Sequence, residues 1–324
     1  MEAASLMNST AAQAAATVPP GRFFLHPFHS VHDYVTHFEG ERAFNWMVNS
    51  PQIPVLIAIC YVLVVHTMPR LLDAVAPANK SVPGVSILIP IWNLFFSVGS
   101  CVGFLYCLPV LCRVVMTTDR DLSGLAPKKD WRTGEWDYDP HVRGGLYTSL
   151  CYWNRSFFFD GPTGFWLLTF NLSKILELAD TLFLMLKRKP VPFIHWYHHT
   201  TVMLFCWHAH VSSISNGLGF AVMNMAVHSM MYFYYFMCAC GLGSVARPFA
   251  PMVTLLQLVQ MFAGMLLVLY TTGLYLFHPK GCETSAASLV LGICMYFSYI
   301  VLFVKLYRDR YGPKRRGRRD RHEV

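Results

Sequence analysis

Long apolar runs, each close to the length needed to cross a bilayer, constrain this chain more than any other feature of its sequence. A helix rises 1.5 Å per residue, so about 20 apolar residues span the hydrocarbon core. Seven runs approach that length: roughly residues 50–68, 86–113, 164–186, 193–211, 217–239, 250–276 and 286–307. The expected fold class is therefore an all-α membrane protein with seven transmembrane helices. Composition agrees, because 54% of the 324 residues are hydrophobic and only 14% are charged. A soluble domain carries about 25% charge, so a disordered chain is excluded and an ordinary soluble enzyme is disfavoured. Residues 1–49 read as a partly disordered N-terminal arm, 50–307 as the membrane domain, and 308–324 as a tail.

The net charge of +8 would suggest nucleic acid if it were spread over a surface. It is not: residues 308–324 hold eight Lys and Arg against three Asp and Glu. A basic segment directly after an apolar run is a membrane-flanking anchor, so no nucleic-acid partner is expected and the C-terminus is placed in the cytoplasm. Seven spans then put the N-terminus in the lumen. Lys187, Arg188, Lys189 and Arg247 fall in loops on the cytoplasmic side of this count. The sequons at Asn8 and Asn154 fall on the lumenal side. Ten cysteines without short regular spacing make neither a disulfide scaffold nor a zinc pattern.

The spans also hold groups that cost roughly 2.5–3.5 kcal/mol each on insertion scales. The third carries Asn171, Lys174, Glu177, Asp180 and Thr181, and the fourth opens with His195, His198 and His199. The fifth carries Asn224, His228, Tyr232, Tyr234 and Tyr235, and the sixth Thr254, Gln257 and Gln260. Steps of three and four residues place each set largely on one helical face. Counted from the span ends, all four sets fall in one layer of the cytoplasmic half, while the lumenal halves are rich in Phe, Leu, Trp and Met. The expectation is a reaction chamber open to the cytosol that continues into an apolar tube.

Blander readings exist for single residues. A lone Asn or Thr in a span is often interhelical glue, which suits Asn171 and Thr254. The tyrosines suit a membrane interface, Lys174 with Glu177 a buried ion pair, and His208 and His210 a structural role. Three histidines in five residues, matched by a fourth on the next helix, resist that treatment.

Two chemistries use clustered imidazoles in a membrane. A di-iron centre, as in lipid desaturases and hydroxylases, needs several histidine boxes. This chain has one box among 14 histidines, so no metal is expected. The other is acid–base or nucleophilic work by imidazole itself, whose unperturbed pKa lies near 6.5. Lys174, Asn224, Gln257 and Gln260 would then bind or polarise a thioester carbonyl, with Glu177 and Asp180 orienting the rings. A non-enzyme alternative is a seven-span transporter, whose internal repeat is not evident here.

Read together, these segments resemble the very-long-chain fatty-acid elongase family. Lys174-Ile-Leu-Glu177-Leu178-Ala-Asp180-Thr181 is similar to its K-x-x-E-L-x-D-T, and His195-Trp196-Tyr197-His198-His199 to its histidine box. Asn224-x-x-x-His228-x-x-Met231-Tyr232-x-Tyr234-Tyr235 and Thr254-x-x-Gln257-x-x-Gln260 match two further motifs in order. The Trp196-Tyr197 pair is similar to the branch handling saturated and monounsaturated chains.

The resemblance implies a multi-pass protein of the endoplasmic reticulum membrane, built around a central acyl-chain tunnel. It would condense a long-chain acyl-CoA with malonyl-CoA, giving a 3-ketoacyl-CoA, CO2 and CoA, without a cofactor. His198 would carry the acyl group, His228 would assist, and His195 and His199 would position substrate. Lys174, Glu177, Asp180, Asn224, Tyr232, Tyr235, Gln257 and Gln260 would line the substrate site, with Lys187, Arg188 and Arg247 at a mouth taking anionic CoA. Implied partners are membrane lipids and the ketoacyl reductase, dehydratase and enoyl reductase of the cycle, with room for a homodimer. A disulfide between Cys151 and Cys282 in the oxidising lumen is also implied. The long arm and a stretch near Lys128–Asp139 depart from the usual pattern.

Overall fold

The structure, a computed structural model, describes residues 27–75, 82–116, 145–153 and 158–312. Both sequons, the stretch near Lys128–Asp139 and most of the basic tail lie outside these residues. Every regular element among them is helical: α1 (Pro27–Thr36), α2 (Glu41–Val48), α3 (Gln52–Val75), α4 (Val85–Met116) and α5 (Leu146–Cys151). Then follow α6 (Gly161–Leu176), α7 (Ala179–Leu186), α8 (Phe193–Val211), α9 (Gly217–Ala239), α10 (Gly243–Ala246), α11 (Ala250–Phe277) and α12 (Ala286–Tyr311). A single 3₁₀ turn, Arg247–Phe249, joins α10 to α11.

Four stretches are long and apolar enough to cross a membrane by length and composition: Gln52–Ala74, Val85–Met116, Gly243–Phe277 and Ala286–Tyr311. They are the apolar runs with few polar interruptions. The histidines of α8 and the polar groups of α9 lower mean hydropathy there, although these helices have 19 and 23 residues. The run read as one span over 164–186 is divided into α6 and α7 at Glu177–Leu178. Amide hydrogen bonds tighten to i−3 partners there: Leu178 N donates to the Ile175 carbonyl, Asp180 N to Glu177 and Thr181 N to Leu178. Such 3₁₀ winding inside a helix turns side chains out of α-helical register. It does so between Glu177, which is buried, and Asp180, which is half-buried.

The long helices close into a ring. α8 packs against α6, α12 and α3; α12 against α11; α11 against α9; α9 extensively against α4; and α4 against α6. At Gly103 of α4 an added Cβ would come within 2.7 Å of the Met225 sulfur and 3.1 Å of the Trp166 ring, so a bare backbone permits that close approach. α2 buries Phe44 and Met47 and touches α8. Part of the segment read as a partly disordered arm therefore packs into the core.

One end of the ring is tied shut. Cys151 is joined to Cys282 across 131 residues. Around it Glu283 N donates to the Cys151 carbonyl at 2.8 Å, Ser215 Oγ to the Leu150 carbonyl at 2.6 Å and Tyr147 OH to the Gly281 carbonyl at 2.7 Å. Burial and the Glu283 carboxylate raise the Tyr147 phenol above its ordinary value. α5, the α8–α9 turn and the α11–α12 loop thus form one cap.

Candidate active site

Inside the ring lies a cleft with about 860 Å³ of space free of atoms, its mouth included. α6, α8, α9, α11 and α12 line it. His198, Asn224 and Gln260 stand toward one end, and Trp153, Phe158, Phe159 and Ile214 toward the disulfide cap. Most of the wall between is aliphatic and aromatic. Along α8, His198 and His210 are twelve residues apart, about 18 Å at helical rise.

The costly groups of the sequence converge beside this cleft. Lys174 and Glu177 are each 2% exposed, and Lys174 Nζ donates to Glu177 Oε1 at 2.7 Å. Ser173 Oγ donates to the same oxygen at 3.0 Å. Lys174 Nζ also donates to Asn224 Oδ1 at 3.0 Å and sits 4.3 Å from the Phe170 ring centroid. An ammonium is donor-only, so it fixes the Asn224 amide with Oδ1 toward the lysine. The Asn224 Nδ2 donor is left for the cleft that this residue lines. His228 Nδ1 lies 3.9 Å from Glu177 Oε2, an ion pair only when the ring is protonated.

Asp180 is held separately. Tyr232 OH donates to its Oδ2 at 2.6 Å and Trp92 Nε1 to its Oδ1 at 2.7 Å. Next to it, Thr181 Oγ1 shares a 2.6 Å hydrogen bond with Tyr61 OH and lies 3.0 Å from His195 Nε2. His195 and His199 have ring centroids 4.5 Å apart, and His198 and His199 5.6 Å. Of the box, only His198 lines the cleft. Its ring lies 4.6 Å from Tyr299, and its Nδ1 and that of His199 are buried with no hydrogen-bond partner among the described residues. Among those residues no three His, Cys, Asp or Glu side chains converge as a metal-ligand set.

Of the other expected site residues, Tyr235, Gln257, Lys187, Arg188 and Arg247 do not line the cleft. Tyr235 is 43% exposed, with its ring 6.4 Å from that of Tyr232. Gln260 lines the cleft, but Gln257 Nε2 donates to Met231 Sδ at 2.8 Å. Arg188 pairs with Asp73 at 2.8 Å and donates to the Leu72 carbonyl, so it ties α7 to the end of α3. Lys187 donates to Ser86, and Arg247 is exposed. Spacing along one helix could not show the partners of Gln257, Lys187 and Arg188, because Met231, Ser86 and Asp73 lie on other helices. Trp92, Tyr61 and Tyr299 were missed for the same reason.

A sequence profile of the ELO: GNS1/SUR4 family matches residues 46–320. The chain belongs to this family. It is 44% identical to "Fatty acid elongase 3" of Trypanosoma cruzi over 278 residues, 86% of this chain and 90% of that protein. It is 39% identical to "Fatty acid elongase 3" of Trypanosoma brucei brucei over 284 residues, covering 87% and 91%. "Very long chain fatty acid elongase 4" of Trypanosoma cruzi is 38% identical over 293 residues, covering 90% and 91%. The ELO match runs from the end of α2 past α12. It therefore contains every wall of the cleft and both halves of the disulfide.

Proposed function

We propose that this chain is the condensing enzyme of fatty-acid elongation, a 3-oxoacyl-CoA synthase that joins a long-chain acyl-CoA to malonyl-CoA. Family membership and the elongase names of its relatives support elongation. The observation that carries the mechanism is that His198 alone of its box opens onto an apolar cleft, beside an asparagine donor oriented by a buried lysine.

In this reading the acyl chain fills the cleft with its thioester at His198. A neutral imidazole nitrogen attacks the carbonyl, the carbon–sulfur bond breaks, and CoA leaves as the thiol. Asn224 Nδ2 stabilises the oxyanion that forms on the way, with no reorganisation because Lys174 already holds the amide. Malonyl-CoA then loses CO2, and the resulting enolate attacks the acyl-imidazole. A 3-ketoacyl-CoA two carbons longer departs and the free histidine returns. His228, within reach of Glu177 and neighbour to Tyr232, assists the second half. His195 and Asp180 position their neighbours and do not touch substrate.

The topology proposed with this activity has seven spans, α6 and α7 together making the third, with the disulfide cap in the lumen of the endoplasmic reticulum and the histidine end toward the cytosol. A disulfide suits an oxidising lumen. The 3-keto product needs reduction, dehydration and a second reduction, so the partners are the enzymes of those steps.

The test is intact mass spectrometry of the purified protein after palmitoyl-CoA alone, beside His198→Ala. The expected result is a mass gain of one acyl group that the variant lacks. A 3-ketoacyl product on adding malonyl-CoA, without any prior mass gain, would show direct condensation and remove His198 as nucleophile. No product with any chain length would overturn the enzyme assignment.

A further inference from the structure

The wall of the cleft is apolar except near its two ends. The polar groups at the histidine end belong to the chemistry described above, but those at the closed end do not. There Asn171 of α6, His210 of α8 and Ser213 of the α8–α9 turn all line the cavity. Asn171 Nδ2 donates to the Leu167 carbonyl at 2.8 Å and lies 3.3 Å from His210 Nδ1. An amide nitrogen can only donate, so His210 Nδ1 accepts and the proton of the neutral ring lies on Nε2. The ring is held flat against Phe159, centroids 6.2 Å apart at 15°, and edged by Phe44.

Three hydrogen-bonding functions are then left without a partner among the described residues. They are the Nε2–H donor of His210 and the Oδ1 acceptor of Asn171, both half-buried, and the hydroxyl of Ser213, which is 8% exposed and buried without a partner. Buried polar groups are as a rule paired, and a methyl terminus pairs none of these. A hydroxyl, both donor and acceptor, can pair two at once.

We propose that the closed end of the cleft is a polar subsite for an acyl chain that carries a hydroxyl at its far end, an ω-hydroxyacyl group. The inference rests on the reading that the cleft holds the acyl chain. Its length follows from the geometry. His198 and His210 are about 18 Å apart along α8. Carbon–carbon bonds of about 1.5 Å in a staggered zigzag advance about 1.25 Å per carbon. A chain of about 14 carbons therefore brings its terminus to Asn171 and His210.

Equilibrium binding to the detergent-solubilised full chain tests this with S-alkyl thioethers of CoA, which cannot acylate the protein. Plain and ω-hydroxylated chains of 10 and 14 carbons are compared. A hydroxyl carried into an apolar wall unpaired weakens binding about tenfold or more. The expected result is that penalty at 10 carbons and a penalty at least fivefold smaller at 14. Asn171→Leu and Ser213→Ala should each bring the penalty at 14 carbons, taken as the ratio of plain to hydroxylated thioether within that variant, back toward that at 10. A smaller difference between the two lengths in the native protein would overturn the proposal, and so would variants that bind the plain chain normally and leave the 14-carbon ratio unchanged. If a variant loses plain-chain binding through misfolding, the native length series decides alone. Turnover of tetradecanoyl-CoA with malonyl-CoA is measured separately. Its absence would count against the enzyme and leave the binding ratio to be read for itself.

Discussion

Replacing Lys174 by methionine separates what the buried lysine does for the fold from what it does for the site. Methionine keeps the approximate length of the side chain and removes its charge. Glu177, 2% exposed, would then keep Ser173 as donor but lose the Lys174 ammonium, its ion-pair partner at 2.7 Å. Removing one member of a buried pair costs about 3–5 kcal/mol, because the remaining charge stays out of water. At about 2 °C per kcal/mol for a chain of this size, the unfolding midpoint should fall by at least about 6 °C.

The double variant Lys174→Met/Glu177→Leu removes the stranded carboxylate, and replacing a buried pair by apolar groups is often neutral. Most of the lost stability should return. Activity should not, because Asn224 Oδ1 has still lost its donor and its amide is free to turn its oxygen into the cleft. Loss of one oxyanion donor costs roughly 10²–10³ in kcat. Thermal unfolding in detergent and an elongation assay with malonyl-CoA, run on both variants, give the two readings. A single variant as stable as the native protein would refute the account of the pair. A double variant with native activity would refute the role given to Asn224.

Three further outcomes follow from named contacts. Cys151→Ser with Cys282→Ser opens a loop of 131 residues, worth up to about 5 kcal/mol in the chain-entropy model; an unchanged unfolding midpoint would show that the cap's hydrogen bonds suffice. Asp180→Asn leaves one acceptor oxygen for two donors, Trp92 and Tyr232, at a cost of about 1–3 kcal/mol. Adding Tyr232→Phe should return part of that, and no recovery in the unfolding curve would contradict the pairing. Gly264→Ala would drive a Cβ into the Tyr296 ring, which lines the cleft. Overpacking of this kind costs about 1–3 kcal/mol, and the displaced ring should shift the product profile toward shorter chains; gas chromatography showing a native profile would remove Tyr296 from the acyl wall.

What the sequence revealed and what it concealed divide along a physical line. Apolar length exposed the long helices, because crossing a bilayer demands it of each segment separately. Spacing of three and four residues exposed the polar faces, and four motifs in order exposed the family. Those signals are local. The break at Glu177–Leu178 carries no proline or glycine to announce it. Trp92 reaches Asp180 across 88 residues, and Tyr61 reaches Thr181 across 120. No period along one helix reports such pairs.

The same logic applies to single pairings. The sequence shows Arg188 as a cation after an apolar run but not its pairing, because Asp73 lies 115 residues earlier. His210 looked structural because Asn171, its partner, lies on another helix. A polar residue in a membrane helix announces that it must be satisfied. Only the fold tells whether another side chain or a substrate does so. At Arg188 a side chain does, and at the closed end of the cleft none among the described residues completes the set.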